Sequence, residues 1–499
     1  MTRTTDIIRT AEAELCRPWL RHMLSAADWA AFAGAAATES WTLLAQWADT
    51  VQVHALFLNS DALSIVPVST PVDSGRYPAL SPYFAGAAWY ERMIRDLWGH
   101  SAEGGTDGRP WLDHGTWPLA RPLASRPEPR TIADPLQLGE LDDPSEAMIL
   151  PIGPIWDRLG EPAHLRLTLD GPAIRQAEAL LGFAHKGTLT LMRGNSPRAA
   201  ARFAARLSAD ATVAHSVAFA QATEAAMDVV APPRAAALRI VMAEVERIAA
   251  HLDTLTEIGR LADAPALRTL CGVLRENVLR ASDAAFGHRL MMDCVIPSGV
   301  AADIADGGPQ LVLRALGSIA SQLDALRRLH DGAALSARLA RLGRAGGKLA
   351  ASLAVGGVVG RASGRAFDAR TVFSSGYGKL TPRLAVRTGG DAAARQHLRL
   401  FEVEESIRLV SAALDSLPEG PVSMTLPQVS GEGIGCAESV RGDIWHWLRL
   451  DHGQIAAVFP RDPGWALWPL AERVLENATA DDAALIRASF ALPASGMDL

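Results

Sequence analysis

The sequence predicts an α+β N-terminal domain, residues 1–136, fused to a mainly helical domain with small peripheral β-elements, residues 147–499. Three observations predict it. The chain has 499 residues, enough for two to four domains at roughly 100–200 residues each. Short alternating or β-branched runs lie in its first third. Long apolar periodicities of three and four residues dominate the remainder, in a composition rich in Ala, Leu and Arg, which lose little on entering a helix.

The runs 51–58 and 62–68 are separated by Asn59, Ser60 and Asp61 and read as a hairpin. Residues 89–98 read as a short amphipathic helix. Residues 104–135, rich in Gly, Pro, Arg and Asp, read as an irregular extension and linker. A second domain begins near Ala147, and 165–169 alternates as a strand. The clearest helix spans 234–261, with Leu238, Val241, Val245, Ile248, Leu252 and Leu255 on one stripe and Pro232 and Pro233 at its start. Residues 273–286, 311–342 and 392–417 read as further helices, and 356–378 as a Gly-rich loop. The end, 434–499, reads as short strands with a helix near 468–476.

The formal net charge is −7, with both signs interspersed. No basic face stands out, so nucleic acid is not expected as a partner. The four cysteines, Cys16, Cys271, Cys294 and Cys436, are scattered and form no C-x-x-C pair. No local zinc or iron–sulfur ligand set is expected from this chain, and a reducing compartment suits it. The first residues read as no signal peptide, and no run approaches the roughly 18 apolar residues needed to span a bilayer. No G-x-G-x-x-G follows a strand, so no nucleotide site is expected.

Two segments of the first domain carry a recognisable pattern: Ala88-Trp89-Tyr90-Glu91-Arg92 through Asp96-Leu97-Trp98-Gly99, and Asp107-Gly108-Arg109-Pro110-Trp111-Leu112 followed by Trp117-Pro118. They resemble the small hydrophilic subunit of complex I. In the second domain the motifs are Leu150-Pro151-Ile152-Gly153-Pro154, Glu161-Pro162-Ala163-His164, and Gly182-Phe183-Ala184-His185-Lys186-Gly187. They continue with Phe286-Gly287-His288-Arg289 to Asp293, Ile296 to Val300, Gly360-Arg361-Ala362-Ser363-Gly364, Asp368-x-Arg370, Gly390-Asp391 with Arg395 and Arg399, and Ser439 to Trp447. Their order and spacing resemble the large subunit of group 4 nickel–iron hydrogenases, of the formate hydrogenlyase and hydrogenase-4 type, and its complex I counterpart. The resemblance runs from about Trp89 to the C-terminus.

That resemblance implies a hydrogenase-large-subunit-like fold for the second domain. It implies a peripheral place on the cytoplasmic face of a membrane complex, beside a small iron–sulfur subunit and antiporter-like membrane subunits. The family's nickel–iron centre takes four thiolates from two C-x-x-C motifs. At the matching positions this chain has Ser208 and Ala211, then Pro493 and Gly496. Alanine and glycine offer no donor, proline none that suits a metal, and a serine hydroxyl is a poor ligand for a soft metal. With all four thiolates replaced, no nickel and no hydrogen chemistry are expected.

Complex I relatives use the vacated space for a quinone headgroup, held by a Tyr near the first motif and a His on the opening β-element. The position for that Tyr is Ala209, while His164 keeps the His. A quinone is therefore a possible ligand, with no cofactor of the chain's own and an iron–sulfur cluster in a partner. His164, Arg361 and Asp368 are the candidate catalytic residues, with Arg361, Asp368 and Arg370 expected to line the cavity. Ser208, Ala209 and His215 are the candidate cofactor contacts, His215 also reading as a hydrogen-bonded core histidine. Arg206 is expected to belong to the cavity's frame. His185 and Lys186 read as packing residues in a helix-like segment. Asp210 reads as an exposed loop carboxylate, and Glu244, Glu246 and Arg247 as a solvated or salt-bridged helix face. Two functions follow: an electron-transfer or ion-coupling subunit, or a redox-silent scaffold and conformational transmitter of an antiporter-type complex.

Overall fold

A computed structural model describes residues 3–131, 148–155, 161–373, 377–378, 380–476 and 478–499. The expected domain junction at 136–147 falls wholly outside them.

The first part is a five-stranded sheet. Strands Gln52–Asn59 and Ser64–Pro71 pair antiparallel, as the hairpin pattern predicts, and Trp41–Ala48 flanks them. Strand Trp19–Met23 joins the other edge parallel to Ser64–Pro71, and Glu12–Cys16 pairs outside it. Periodicity does not single out this edge pair. It is two five-residue strands with mostly exposed or half-buried side chains, too short to show alternation.

The helix Ala87–Trp98 is buried on nearly every face, and its motif residues hold the following extension. Glu91 accepts from the N–H groups of Leu80 (2.7 Å) and Ser81 (3.0 Å). Arg92 donates to the carbonyls of Arg109 (3.0 Å) and Pro110 (2.7 Å) and lies 4.9 Å from the Trp111 ring centroid. Asp96 accepts from Trp111, Leu112 and Asp113 N–H at 2.6, 2.9 and 3.3 Å. The Glu-Arg and Asp-Leu-aromatic-Gly signature is thus a backbone clamp. Asp96→Ala strands these buried donors, so a loss of about 2 kcal/mol is expected, read by thermal unfolding.

The second part mixes long helices with two three-stranded antiparallel sheets, so "mainly helical" covers only part of it. The helices are Thr212–Met227, Pro233–Leu261, Pro265–Phe286, Gly308–His330 and Ala392–Asp415. One sheet joins Met148–Ile152, His164–Asp170 and Ala173–Leu180; the other joins Gly431–Ser439, Gly442–Asp451 and Gln454–Arg461. The last three strands run eight to ten residues, longer than their sequence suggests. Three boundaries also differ. The helix expected over 273–286 begins earlier, at Pro265. The stretch 311–342 breaks at Asp331-Gly332 into Gly308–His330 and Ala333–Leu339, because Gly332 leaves the helical conformation at the second N-cap. The Gly-rich stretch holds two short helices, Gly357–Ala362 and Ala369–Val372.

Helix Thr212–Met227 lies unusually close to strand Gly431–Ser439. A Cβ at Gly433 or Gly435 would strike the backbone of Ala222 and Ala226, or of Ala218 and Ala222. The alternating glycines and the four-residue alanine stripe therefore form one interface. The two parts of the chain share a core. Tyr90 stacks on Trp465 at 4.6 Å, Trp47 on Phe459 at 5.6 Å, and Arg21 pairs with Glu432 at 2.9 Å.

Candidate functional site

The two loops expected to match the family's ligand motifs converge. The first, Ser208–Ala211, ends in a tight turn just before helix Thr212–Met227. The second is the C-terminal segment after helix Ala483–Phe490. Between them is a cavity of about 340 Å³. Ala209 and Asp210 wall it from one side, Leu492, Pro493 and Ala494 from the other, and Glu161, Ala163, Arg441 and Trp468 complete that end. Glu161 ties the second loop, accepting from Ala494 N–H (2.5 Å) and Ser495 N–H (2.8 Å). Trp468 Nε1–H donates to the Pro493 carbonyl.

Ser208 and Asp210 are both held by Arg441. Its guanidinium donates to Ser208 Oγ at 2.9 Å and to Asp210 Oδ2, and Ser208 Oγ–H donates to Asp210 Oδ1 at 3.0 Å. Partial desolvation opposes the charge of Asp210, whose side chain is 47% exposed, yet the Arg441 charge and these hydrogen bonds hold its carboxyl below the usual range. Asp210 is thus the exposed loop carboxylate expected, but one that Arg441 pairs and that walls the cavity. Sequence alone misses this because Arg441 is 231 positions away.

The position expected for the fourth thiolate, Gly496, is filled. A Cβ at Gly496 would lie 2.5 Å from Asp462 Cγ and 3.0 Å from its Cβ. Asp462 is fully buried; it accepts from Gly464 N–H at 2.7 Å and faces His215 Nε2 at 3.1 Å. His215 Nδ1 meets His446 Nε2 at 3.1 Å. His215 is therefore a fully buried, bonded core histidine. The four positions offer one hydroxyl, already bonded, and one site blocked by a carboxylate. These residues do not fit a nickel–iron centre.

Glu246 reaches the same region from helix Pro233–Leu261. It caps helix Thr212–Met227, accepting from Val213 N–H at 2.6 Å and Ala214 N–H at 3.1 Å. It lines a small recess whose other residues include Ala209, Asp210, Asp253, Arg275 and Leu290, all of which also line the main cavity. Burial, with the Asp210 charge adding to it, pushes the Glu246 carboxyl up to about 8 against those two N–H groups. Glu246 is therefore an acid that keeps its proton at neutral pH, beside one that does not. The expectation of a solvated or salt-bridged helix face misses this capping role.

His164 opens strand His164–Asp170 and is buried, its Nδ1 3.3 Å from the Gly153 carbonyl; its neighbour Ala163 is the one that lines the cavity. Ala209 does line the cavity and brings no hydroxyl. Arg361, Asp368 and Arg370 are not cavity residues. They belong to a separate buried network, because carboxylates from distant elements draw them inward. Arg361 contacts Glu402 (2.6 Å), Glu438 (3.0 Å) and Asp368 (3.2 Å). Arg370 contacts Asp368 (2.7 Å) and Glu244 (3.1 Å). Glu244 also accepts from Ser406 at 2.5 Å and from Tyr377, and lies 3.3 Å from Arg247. Glu244 and Arg247 are therefore core residues. Arg206 stands at the surface, paired with Asp293 at 2.6 Å, outside the cavity frame. His185 and Lys186 sit in a turn, not a helix: Asp498 accepts from Gly182 and Ala184 N–H at 2.8 Å each, and His185 stacks on Trp117 at 4.5 Å.

Comparison with known proteins adds family matches to this geometry. Residues 16–127 match the family described as respiratory-chain NADH dehydrogenase, 30 Kd subunit, and residues 266–432 match its 49 Kd subunit. The chain is 28% identical to formate hydrogenlyase subunit 5 of Escherichia coli K12, over 84% of this chain and 77% of the relative. It is 29% identical to membrane-bound hydrogenase subunit alpha of Pyrococcus furiosus, over 66% of this chain and 83% of the relative. It is 26% identical to the NADH-quinone oxidoreductase C/D polypeptide of Gluconacetobacter diazotrophicus, over 79% of this chain and 70% of the relative. No helix among the described residues is long and apolar enough to cross a membrane.

Proposed function

We infer that this chain, which joins a 30 Kd-type to a 49 Kd-type domain of complex I and membrane-bound hydrogenases, is a peripheral subunit of a membrane-associated oxidoreductase complex without a nickel–iron centre of its own. One observation supports the reading: the loops expected to match the metal-holding loops of hydrogenases wall a polar cavity with Asp210 and Arg441, Glu246 lines the recess beside it, and Asp462 closes the position expected for the last ligand. Its place is the cytoplasmic face of the membrane. A small iron–sulfur subunit is the electron donor beside the cavity, and antiporter-like membrane subunits are its other partners.

In this reading the cavity receives a small acceptor such as a quinone, which takes electrons from the partner's cluster. The chain's own residues handle protons. Glu246 holds one at neutral pH, while Asp210, pinned by Arg441, stays charged; two carboxyls with separated pKa values are a usual acid–base arrangement. The family's Tyr–His pair is incomplete, since Ala209 has no hydroxyl and His164 Nδ1 faces Gly153. The acceptor's oxygens fall instead to the cationic donors on the wall, Arg441 and Arg275.

Quinone reduction by the purified complex tests this. Glu246→Gln is expected to lower turnover by about 10²-fold, the scale of one general acid. An unchanged rate ends the acid–base reading. The same variant has a stability signature. Glu246 binds its proton more tightly folded than unfolded, so its contribution is full below about pH 4.5 and is lost as pH rises towards 8. The melting temperature of Glu246→Gln should therefore gain on the parent chain between those pH values.

A second reading, a redox-silent conformational transmitter, draws support from the buried network. It joins residues 361–370 to two long helices and strand Gly431–Ser439, with none of its members on the cavity wall. Ion transport that fails in Arg361 variants of a complex with no quinone turnover would favour it.

A further inference from the structure

We propose a divalent metal site, suited to zinc, formed by His330, Asp331 and His397 on the outer face of the second domain, away from the cavity. His330 ends helix Gly308–His330, and His397 lies on the first turns of helix Ala392–Asp415. His330 Nδ1 is 2.9 Å from Asp331 Oδ1, and His397 Nε2 is 3.2 Å from the same oxygen. The three ligand atoms all lie within 4.8 Å of one another. Tetrahedral zinc with bonds of about 2.0–2.2 Å needs ligand atoms about 3.3 Å apart, so both spacings to Asp331 are near coordinating distance, and the spacing between the two imidazole nitrogens, within 4.8 Å, closes with a small side-chain movement.

The hydrogen bonds point to a cation between these groups. His397 Nδ1 is 2.9 Å from the Ala393 carbonyl, which can only accept, so that nitrogen carries the proton. In the neutral ring Nε2 then presents its lone pair to the Asp331 carboxylate. Two acceptors 3.2 Å apart require a proton or a metal between them. A backbone carbonyl fixing the tautomer is the usual support for a metal-bound imidazole. His330 is 1% exposed, and its Nε2 has no hydrogen-bond partner among the described residues, so the polar contact that orients the buried ring is the one its Nδ1 makes towards Asp331. The two rings meet edge to face at 4.5 Å.

The surroundings also favour a cation. The carbonyl end of a 23-residue helix carries partial negative charge. Of the two arginines in its last turn, Arg327 is already paired with Asp324 (3.3 Å) and Glu404 (2.5 Å), and Arg328 is exposed. Asp331 and His397 are 58% and 43% exposed, leaving a path for the ion and room for a water as fourth ligand. Two imidazoles and one carboxylate suit zinc over calcium or magnesium. The bound ion would clasp the end of one long helix to the start of another.

The full-length chain, stripped with chelator and then equilibrated with zinc chloride, tests the proposal. One zinc per chain is expected after gel filtration, with a rise in melting temperature that grows with zinc concentration. Cobalt in its place should give the visible bands of a tetrahedral site. The exposed variants His397→Ala and Asp331→Ala should each weaken binding at least tenfold while keeping the parent's melting temperature in chelator. Zinc content unchanged in both variants would overturn the site, as would a parent chain that retains none.

Discussion

Arg361→Met is expected to destabilise the chain by about 3–5 kcal/mol, the range for breaking a buried ion pair from one side. Arg361 is 1% exposed and is the hub for three carboxylates, those of Glu402, Glu438 and Asp368. Its network holds Arg247, Arg361 and Arg370 against Glu244, Glu402, Glu438 and Asp368, three cations for four anions. The imbalance is already visible: burial and the Asp368 charge push the Glu438 carboxyl up to about 7. Methionine fills the volume and removes the charge. The three buried carboxylates then have only Arg370, beside Asp368, and Arg247, beside Glu402, both shared with Glu244, and their affinity for protons rises. The variant's deficit should therefore be smallest at acid pH and widen as pH climbs through 7 and the carboxyls must ionise. Arg361→Lys should recover only part of the loss, because one ammonium cannot reproduce the guanidinium's fork. Thermal unfolding of both variants from pH 5 to 8 reads the result; a deficit independent of pH would mean that lost packing, not charge, is the cause.

This network shows where a linear reading stops. The pattern around Leu238, Val241, Val245 and Ile248 announces a long helix, and the structure has it at Pro233–Leu261, because a helix's period is local. A C-x-x-C spacing is local in the same way, since it occupies four consecutive residues, and the chain's four scattered cysteines show none. The destination of Arg361 is not. Its partners Glu402 and Glu438 stand 41 and 77 positions away, and only the packing of two helices and a strand brings them together. A Gly-rich loop with Arg and Asp suits a cavity wall as well as a sealed ion cluster, and nothing in the sequence separates the two. Glu246 is hidden differently. A Glu among other charged residues on a helix reads as surface, and its capping role depends on the N-terminus of another helix arriving 2.6 Å away.

Gly496→Cys is expected to cost about 3 kcal/mol, at the upper end of core overpacking, and the quadruple variant S208C/A211C/P493C/G496C is expected to bind no nickel. The ligand position at 496 is closed by more than the absence of a thiol. The Asp462 carboxylate occupies the room of the new side chain, with Cγ 2.5 Å from the added Cβ. It has no free direction in which to yield. Gly464 N–H holds one oxygen at 2.7 Å and His215 faces the other at 3.1 Å, and moving it strands a buried imidazole as well as a buried anion. Four new thiolates would also stand among Asp210 and Asp462, raising the cost of ionising any of them. The closure is specific enough to reverse. Asp462→Ala combined with Gly496→Cys removes the carboxylate and leaves only the Cβ at 3.0 Å, so the pair should lose less stability than the two single variants added together. Thermal unfolding gives that coupling, and elemental analysis of the quadruple variant, with and without Asp462→Ala, gives the metal. Stoichiometric nickel with Asp462 intact would show that the carboxylate moves aside freely, and that thiolate loss alone separates this cavity from a hydrogenase site.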